Sequence, residues 1–451
     1  MWIERARRIS LPLLAGLACS AIGLLPTLRY VWHRFANVRG WEAENIARSL
    51  VAGKGFSFSG EQRWLWEQWK GDPTEHFPTA WMDPVYTFVL AALHWVFGDA
   101  AFAATYALNF LCIAVMLFCA WQLATRFAGP WAGAVAMVLL AANQAIGESI
   151  FDTINNTGFA VAVVAFGALV AVRYFERPDA TRCWQLGLYA GFMILSCPAL
   201  QYFLLLMPAG LVALHWRDGR LRMQRPLVAV AVAVLVMLPW SIRNFLVFDE
   251  FVPVRNGAGQ IAWEGTVGVA STFAPETTKL SLATPWQATS AREAVQKMLT
   301  TPLRIEMHHF QYYAIAARPP AGYDVMNEAQ RDKFYLQGAK EYVQREPLIA
   351  TQLALAKLEV FVMRFGIGGL GVLLFAIAGA LLLLRQPRSW PLPLLAIAYS
   401  APFALAIPYF DRYRTPIEPV FATLAAVAFV RLVRATASGR ARSAQWSARA
   451  E

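Results

Sequence analysis

Two glutamates, Glu42 and Glu44, stand two residues apart in the run WEAENIARSLVAG. That run lies inside a stretch from Asn37 to Pro84 that holds the densest set of carboxylates, cations and indoles in an otherwise apolar chain. Lys54, Arg63, His76, Asp83 and the indoles of Trp64, Trp66, Trp69 and Trp81 follow within it. A carboxylate at a membrane interface can take the proton of an acceptor hydroxyl, and an arginine can hold a phosphate leaving group through paired charge-assisted bonds. Three later clusters repeat these two residue types: Glu148 with Asp152, Arg243 with Arg255, and Asp411 with Arg412 and Arg414. Acidic and basic groups gathered around one cleft suit a substrate that is part lipid and part phosphate. Convergence of the clusters on one membrane face, rather than any single residue, is the signal.

Hydrophobic residues make up 57% of the chain and charged residues 15%, against about a quarter charged in ordinary soluble domains. That balance predicts an all-α polytopic membrane protein. The formal charge of +11 would point to nucleic acid in a soluble chain. Here the basic residues fall in short loops and in the tail, the pattern of cytoplasmic loops, and no nucleic-acid partner is expected. The five cysteines, Cys19, Cys112, Cys119, Cys183 and Cys197, lie in or beside apolar segments, which argues against disulfides and against a cysteine metal site.

The spans fix where the clusters face. Arg5, Arg7 and Arg8 precede a first apolar segment, Ser10 to Tyr30, which sets its N-terminus inside and the following loop outside. The N-terminus resembles a signal peptide, but no small-x-small cleavage site follows and a retained span is expected. Within the first outer loop, Ala47, Leu50 and Val51 make an apolar stripe at helical spacing that Gly53 and Gly55 end, so a helix lying on the membrane surface is expected. Pro84 to Phe97 is short for a span of roughly twenty residues and reads as interfacial or re-entrant. Alternation of charge then carries about ten spans to a cytoplasmic C-terminus.

Four regions are expected: 1–242, an N-terminal membrane module containing the first outer loop 31–100; 243–364, a small periplasmic segment whose stretch DVMNEAQRDKFYLQGAKEYVQRE is helical and stops at Pro347; 365–434, the C-terminal spans; and 435–451, a disordered cytoplasmic tail. The protein is thus expected in a membrane as a multi-pass chain with its site on the outer, non-cytoplasmic side.

Several stretches carry a family resemblance: WEAENIARSLVAGKGFSFSG, PTAWMDPVYTFVLAALHWVFG, PWSIRNFLVFDEFVPVRNGAG and RYRTPIEP. Together they resemble the bacterial branch of the GT-C glycosyltransferase superfamily, similar to protein O-mannosyltransferases and lipid A aminoarabinose transferases. The resemblance implies an inverting transferase that takes a sugar from a polyprenyl-phosphate donor on the non-cytoplasmic face and passes it to a lipid, glycan or protein acceptor of the envelope. It also implies an acidic catalytic residue in the first outer loop, a role that falls on Glu42 or, failing that, Glu44. Substrate contacts are expected from Asp83, Asp152, Arg243, Arg255, Asn256, Arg412 and Arg414. Some relatives use a divalent metal and others do not, so the resemblance leaves a metal open.

Each of these residues also has a plainer reading. Asp83 before Pro84 fits a helix N-cap. Glu148 and Asp152 fit span ends, Arg412 and Arg414 fit interfacial anchors, and Arg255 with Asn256 fits a turn before Gly257 and Gly259. Glu44 fits a solvent-facing helix position. Glu264, His308 and His309 fit solvated loop residues. Two rivals share the composition: a transporter or flippase of lipid-linked sugars, which would place ionisable residues at mid-membrane and often show repeated halves, and an O-antigen ligase or polymerase, which uses diphosphate-linked donors.

Overall fold

The computed structural model describes residues 2–35, 40, 42–59, 75–152, 154–217, 224–278, 287–300, 326–363, 366–405 and 413–450. The all-α architecture expected of the chain is what it adopts. Helices α1 (Trp2–Gly23) and α2 (Leu25–Arg34) join through Leu24 and make a first apolar run, Leu11–Arg34. In the outer loop, α3 (Glu42–Val51) ends at Gly53 and Gly55, both in the left-handed region where glycine alone is unstrained. An antiparallel pair of β1 (Ser57–Ser59) and β2 (His76–Pro78) follows. Helix α4 (Pro84–Phe97) begins on a proline whose missing N–H costs a first-turn position nothing, and it turns at Gly98 into α5 (Ala101–Ala128). At fourteen residues, or roughly 21 Å, α4 by itself falls short of a bilayer core of roughly 30 Å. It is continuous with α5 over one apolar stretch, Pro84–Ala128.

The bundle continues through α6 (Pro130–Ala141), α7 (Gln144–Phe151), α8 (Thr157–Glu176), α9 (Ala180–Ser196), α10 (Phe203–Arg217) and α11 (Gln224–Phe248). Among the described residues five helices are long and apolar enough to cross a membrane, or seven if each of two bent pairs counts as one. That is fewer than the ten expected. Part of the difference lies in α9, α10 and the helix at Pro391–Leu405, which are apolar and are described over 15 to 17 residues. Pro198 does interrupt α9 and α10, through a 3-10 turn at Pro198–Tyr202. Close helix contact comes from small residues: a Cβ on Gly187 or Gly191 of α9 would press on the Ala229 and Ala233 carbonyls of α11. Such stripes let backbones approach where lipid offers no hydrophobic drive for association.

Beyond α11 the chain forms a small unit with its own apolar core, in which Trp263, Val267, Ala270, Val295, Tyr335 and Tyr342 are buried together. It comprises α12 (Ala258–Trp263), a π-helical turn at Glu264–Gly268, α13 (Pro275–Thr278), α14 (Ala291–Thr300) and α15 (Glu328–Arg345). Asn327 and Gln330 close a reciprocal capping box at the start of α15, which stops before Pro347 as its sequence predicts. Helices α16 (Pro347–Met363), α17 (Gly366–Leu383), α18 (Pro391–Leu405) and α19 (Glu418–Ala450) complete the chain. The tail expected to be disordered continues α19 instead, in keeping with the helix preference of its alanines and arginines.

Candidate functional site

The described parts of the four clusters do not form one tight group. They form three centres at one end of the bundle, tied to one another through backbone. The most enclosed is at Asp83. The residue before a proline is held extended, and Asp83 has φ −64° and ψ 124°. Its side chain makes no capping bond to α4. It accepts instead from Asn156 Nδ2 and faces Arg255 Nη1 at 3.4 Å, with 1% of the side chain exposed. Burial of a carboxylate is tolerable only with such partners. Arg255 keeps 23% of its side chain exposed, lies over the Trp81 indole and donates from Nε to the Asn256 carbonyl at 3.2 Å.

A brace holds this centre. Asn256 pairs with the strand-like run 79–81, its N–H donating to Ala80 O at 2.8 Å, and its Nδ2 donates to Glu328 Oε1 at 2.8 Å. Glu328, the first residue of α15, also accepts from Ala80 N at 3.0 Å and from Thr79 Oγ1 at 2.6 Å. Burial pushes the Glu328 carboxyl above the usual carboxylate range, against the pull of these three donors. One turn on, Asp332 accepts from Gln260 N at 3.0 Å and is likewise pushed up by burial. Gly257, at φ +98°, makes the turn between the two, where a Cβ would sit 2.9 Å from the Trp81 ring.

Arg243, expected to contact substrate, donates into the same brace. Its guanidinium donates to Thr79 O at 2.7 Å and to Phe56 O at 2.9 Å, and it sits among the rings of Phe56, Trp240 and Phe248. Those carbonyls lie in irregular loop backbone, which needs a donor of this reach when water is excluded.

The second centre is the start of α3. Gly40 makes a parallel bridge to Ile154, two residues before Asn156. Glu42 then opens α3, half-buried and without a hydrogen-bond or ion-pair partner among the described residues. Glu44 does not face solvent: it is buried, accepts from Arg48 Nε, packs on Gly40 and lies 3.6 Å from His94 Nε2. Leu50 at the far end of α3 packs on the same cluster of Ile46, Phe56 and Phe58 as Trp81 and Met82, and Glu44 at its start meets His94, so α3 runs antiparallel to α4. Asp83 and Glu44 therefore meet opposite ends of α4.

The third centre is exposed. Asp152 accepts from Tyr30 Oη at 3.0 Å and pairs with Arg34 Nη2 at 3.2 Å, while Glu148 accepts from Gln144. Arg414 lies inside the fold rather than at an interface. With 1% of its side chain exposed, it donates to Glu418 Oε1 at 2.6 Å and to the carbonyls of Phe361 and Val362 at 2.7 Å. As placed, it fastens the end of α16 to the start of α19. Glu264 is buried rather than solvated and accepts from Gln260. Arg412, Asp411, Arg63, Trp64, Trp66, Trp69, His308 and His309 lie outside the described residues. Among the described residues no group of three or more His, Cys, Asp and Glu side chains is placed to hold a metal ion. Sequence reasoning missed Asn156, Glu328, Asp332, Tyr30 and Arg34. Only Glu328 carried a legible sign, following Asn327 at a helix start.

Residues 78–242 match the family model described as dolichyl-phosphate-mannose-protein mannosyltransferase. The matched stretch includes Asp83, Asp152, Asn156 and the helices that carry them. No curated protein matches the chain. Among solved structures, the chain is similar to the Archaeoglobus fulgidus oligosaccharyltransferase in its complex with Zn and sulfate, at 14% identity and TM-score 0.41, covering 87% of this chain and 50% of that one. It thus spans about half the length of the archaeal chain. It is also similar to ArnT from Cupriavidus metallidurans bound to undecaprenyl phosphate, at 15% identity and TM-score 0.34, covering 94% of this chain and 78% of that one.

Proposed function

We propose that this chain, whose residues 78–242 match the mannosyltransferase family model, transfers a sugar from a polyprenyl-phosphate donor to an envelope acceptor on the periplasmic face of the inner membrane. The observation that carries the reading is that match, because the helices it covers bring Asp83 and Asn156 to Arg255 in one partly open centre. The acceptor hydroxyl oxygen attacks the anomeric carbon from the face opposite the phosphate. The new C–O bond forms as the bond to the phosphate oxygen breaks, with inversion. Its proton passes to Glu42, and the polyprenyl phosphate leaves with the bonding pair, its growing charge met by Arg255. Asp83 and Asn156 hold that guanidinium in place. Glu44, paired with Arg48, is the second candidate for the base. Among the described residues the metal-ligand set is lacking, so no step is assigned to a metal.

A transporter of lipid-linked sugars is the rival from another class. Asp83, Asp152, Arg243 and Arg255 stand at or near helix ends rather than midway along the apolar helices, which favours the transferase. Incubating the purified protein with a polyprenyl-monophosphate sugar, a polyprenyl-diphosphate sugar and an envelope extract separates the readings. Release of polyprenyl monophosphate with labelling of the extract is expected. Turnover of the diphosphate donor alone would move the chain to the ligase class, and movement of intact donor across a vesicle without cleavage would make it a transporter.

A further inference from the structure

The outer end of the first apolar run carries a groove that the transfer reaction does not use. It is lined by Leu25, Pro26, Arg29, Tyr30, His33 and Arg34 of α2 and by Gln144 at the start of α7, and it encloses about 840 Å³. Arg29 and His33 stand one helical turn apart on the same face, both exposed, and neither has a hydrogen-bond or ion-pair partner among the described residues. Arg34 pairs with Asp152, and Tyr30 donates to the same carboxylate. That leaves Arg29 as uncompensated positive charge in a cleft otherwise faced by an imidazole and an amide.

The depth of the groove in the bilayer follows from length. Leu11–Arg34 is 24 residues, or roughly 36 Å of helix against roughly 30 Å of hydrocarbon, so the last turn or so reaches the headgroups. Only 22% of the apolar window of this run is buried in the protein. Leu25, Leu28 and Trp32 are exposed, Trp32 at 82%, as an indole at the headgroup level would be. A lone interfacial arginine commonly snorkels without binding anything specific. Here two donor side chains share a groove with Leu25 and Pro26, which offers an acyl chain an apolar surface and a phosphate two neighbouring donors.

We propose that this groove binds the headgroup phosphate of an anionic glycerophospholipid, with Arg29 and His33 on the phosphate and Leu25 and Pro26 along the first carbons of a chain. The site is independent of the sugar-transfer reading and stands if that reading fails. Because Arg34 lines the groove and pairs with Asp152, close to the Gly40–Ile154 bridge, lipid occupancy would also support the loop that presents α3.

The test is native mass spectrometry of the detergent-purified full chain with phosphatidylglycerol, phosphatidylcholine, farnesyl phosphate or inorganic phosphate added. Phosphatidylglycerol is expected to stay bound through at least tenfold more dilution than phosphatidylcholine. Arg29→Gln and the Arg29→Gln/His33→Gln pair are expected to lose at least tenfold of that retention with unchanged melting temperature in lipid-free detergent. Arg434→Gln, which removes an equal charge elsewhere, should lose none. Equal retention by the double variant, or equal loss in Arg434→Gln, would overturn the site. Displacement of phosphatidylglycerol by farnesyl phosphate or inorganic phosphate at equal concentration would overturn the glycerolipid as its occupant.

Discussion

Removing the Glu328 carboxylate should unfasten the brace behind Asp83 and Arg255, and the size of the effect can be worked from its partners. Glu328→Ala leaves the Thr79 hydroxyl, the Ala80 N–H and the Asn256 amide without their acceptor in a buried place. Each such donor costs about 1–3 kcal/mol, so about 3–6 kcal/mol is expected once water has partly entered the gap. Glu328→Gln keeps one oxygen for Ala80 and Asn256 and loses the bond from Thr79, a cost of about 1 kcal/mol. The pH dependence separates charge from shape. Burial raises the folded-state pKa of Glu328, so the folded protein holds a proton that the unfolded chain has released. The stability linked to that proton is fully present below the unfolded carboxylate range and is lost as pH rises through the folded value. Asp332 acts with the same sign. Unfolding in detergent should therefore show wild-type stability falling as pH rises above the ordinary carboxylate range, with a shallower fall for Glu328→Gln, where only Asp332 remains. Equal destabilisation by Ala and Gln, or an unchanged slope in Glu328→Gln, would refute the brace.

Glu42→Gln keeps size and hydrogen-bonding reach but cannot take a proton, so single-turnover sugar transfer should fall roughly a hundredfold or more with donor affinity little changed; if Glu44→Gln falls so instead, the base lies two residues on. Arg255→Ala should weaken both donor affinity and turnover, because its contact exists in the ground state and strengthens as the phosphate gains charge, and Arg255→Lys should rescue only in part, having lost the planar fork. Arg414→Ala should act on stability rather than on donor affinity, by about 3–5 kcal/mol, since it strands the buried Glu418; melting in detergent and donor titration distinguish the two.

The sequence announced the helical fold clearly, because apolar runs, bounding prolines and loop arginines are local signals. It also placed α3 and its glycine stop, and α15 with its stop before Pro347. What it could not carry was direction. Asp83 before Pro84 has the look of an N-cap, yet the fold turns its carboxylate to Asn156 and Arg255, one of them 73 and the other 172 positions away. Arg243 and Arg414, as arginines near span ends, read in the sequence as substrate contacts. In a membrane fold the same position also suits an arginine that supplies donors to carbonyls where helices break, and the carbonyls of Phe56, Thr79, Phe361 and Val362 are what these two guanidiniums meet. The count of spans is less legible than their character: among the described residues α9, α10 and α18 are apolar over 15 to 17 residues.

The arrangement of the acids bears on which of them can share a reaction with Arg255. An in-line displacement sets its base about 3 Å from the acceptor oxygen, and that oxygen about 3–3.5 Å from the anomeric carbon, with the phosphate immediately beyond. Base and phosphate-holding arginine must then lie roughly 10 Å apart across the sugar. Asp83 begins α4, whereas Glu44 reaches His94 eleven residues later, roughly 16 Å along the same helix. Along the other route the gap is shorter. Gly40 pairs with Ile154, Asn156 follows two residues on, and Asn156 bonds Asp83 beside Arg255. Glu42 stands two residues from that bridge and has no partner of its own among the described residues, while the carboxylate of Glu44 is turned back to Arg48 and His94. Because Glu44 also packs on Gly40, the route through the bridge reaches both acids, and what separates them is engagement: Arg48 and His94 hold Glu44, whereas Glu42 is open to an acceptor hydroxyl, which under the proposed mechanism favours Glu42 as the base.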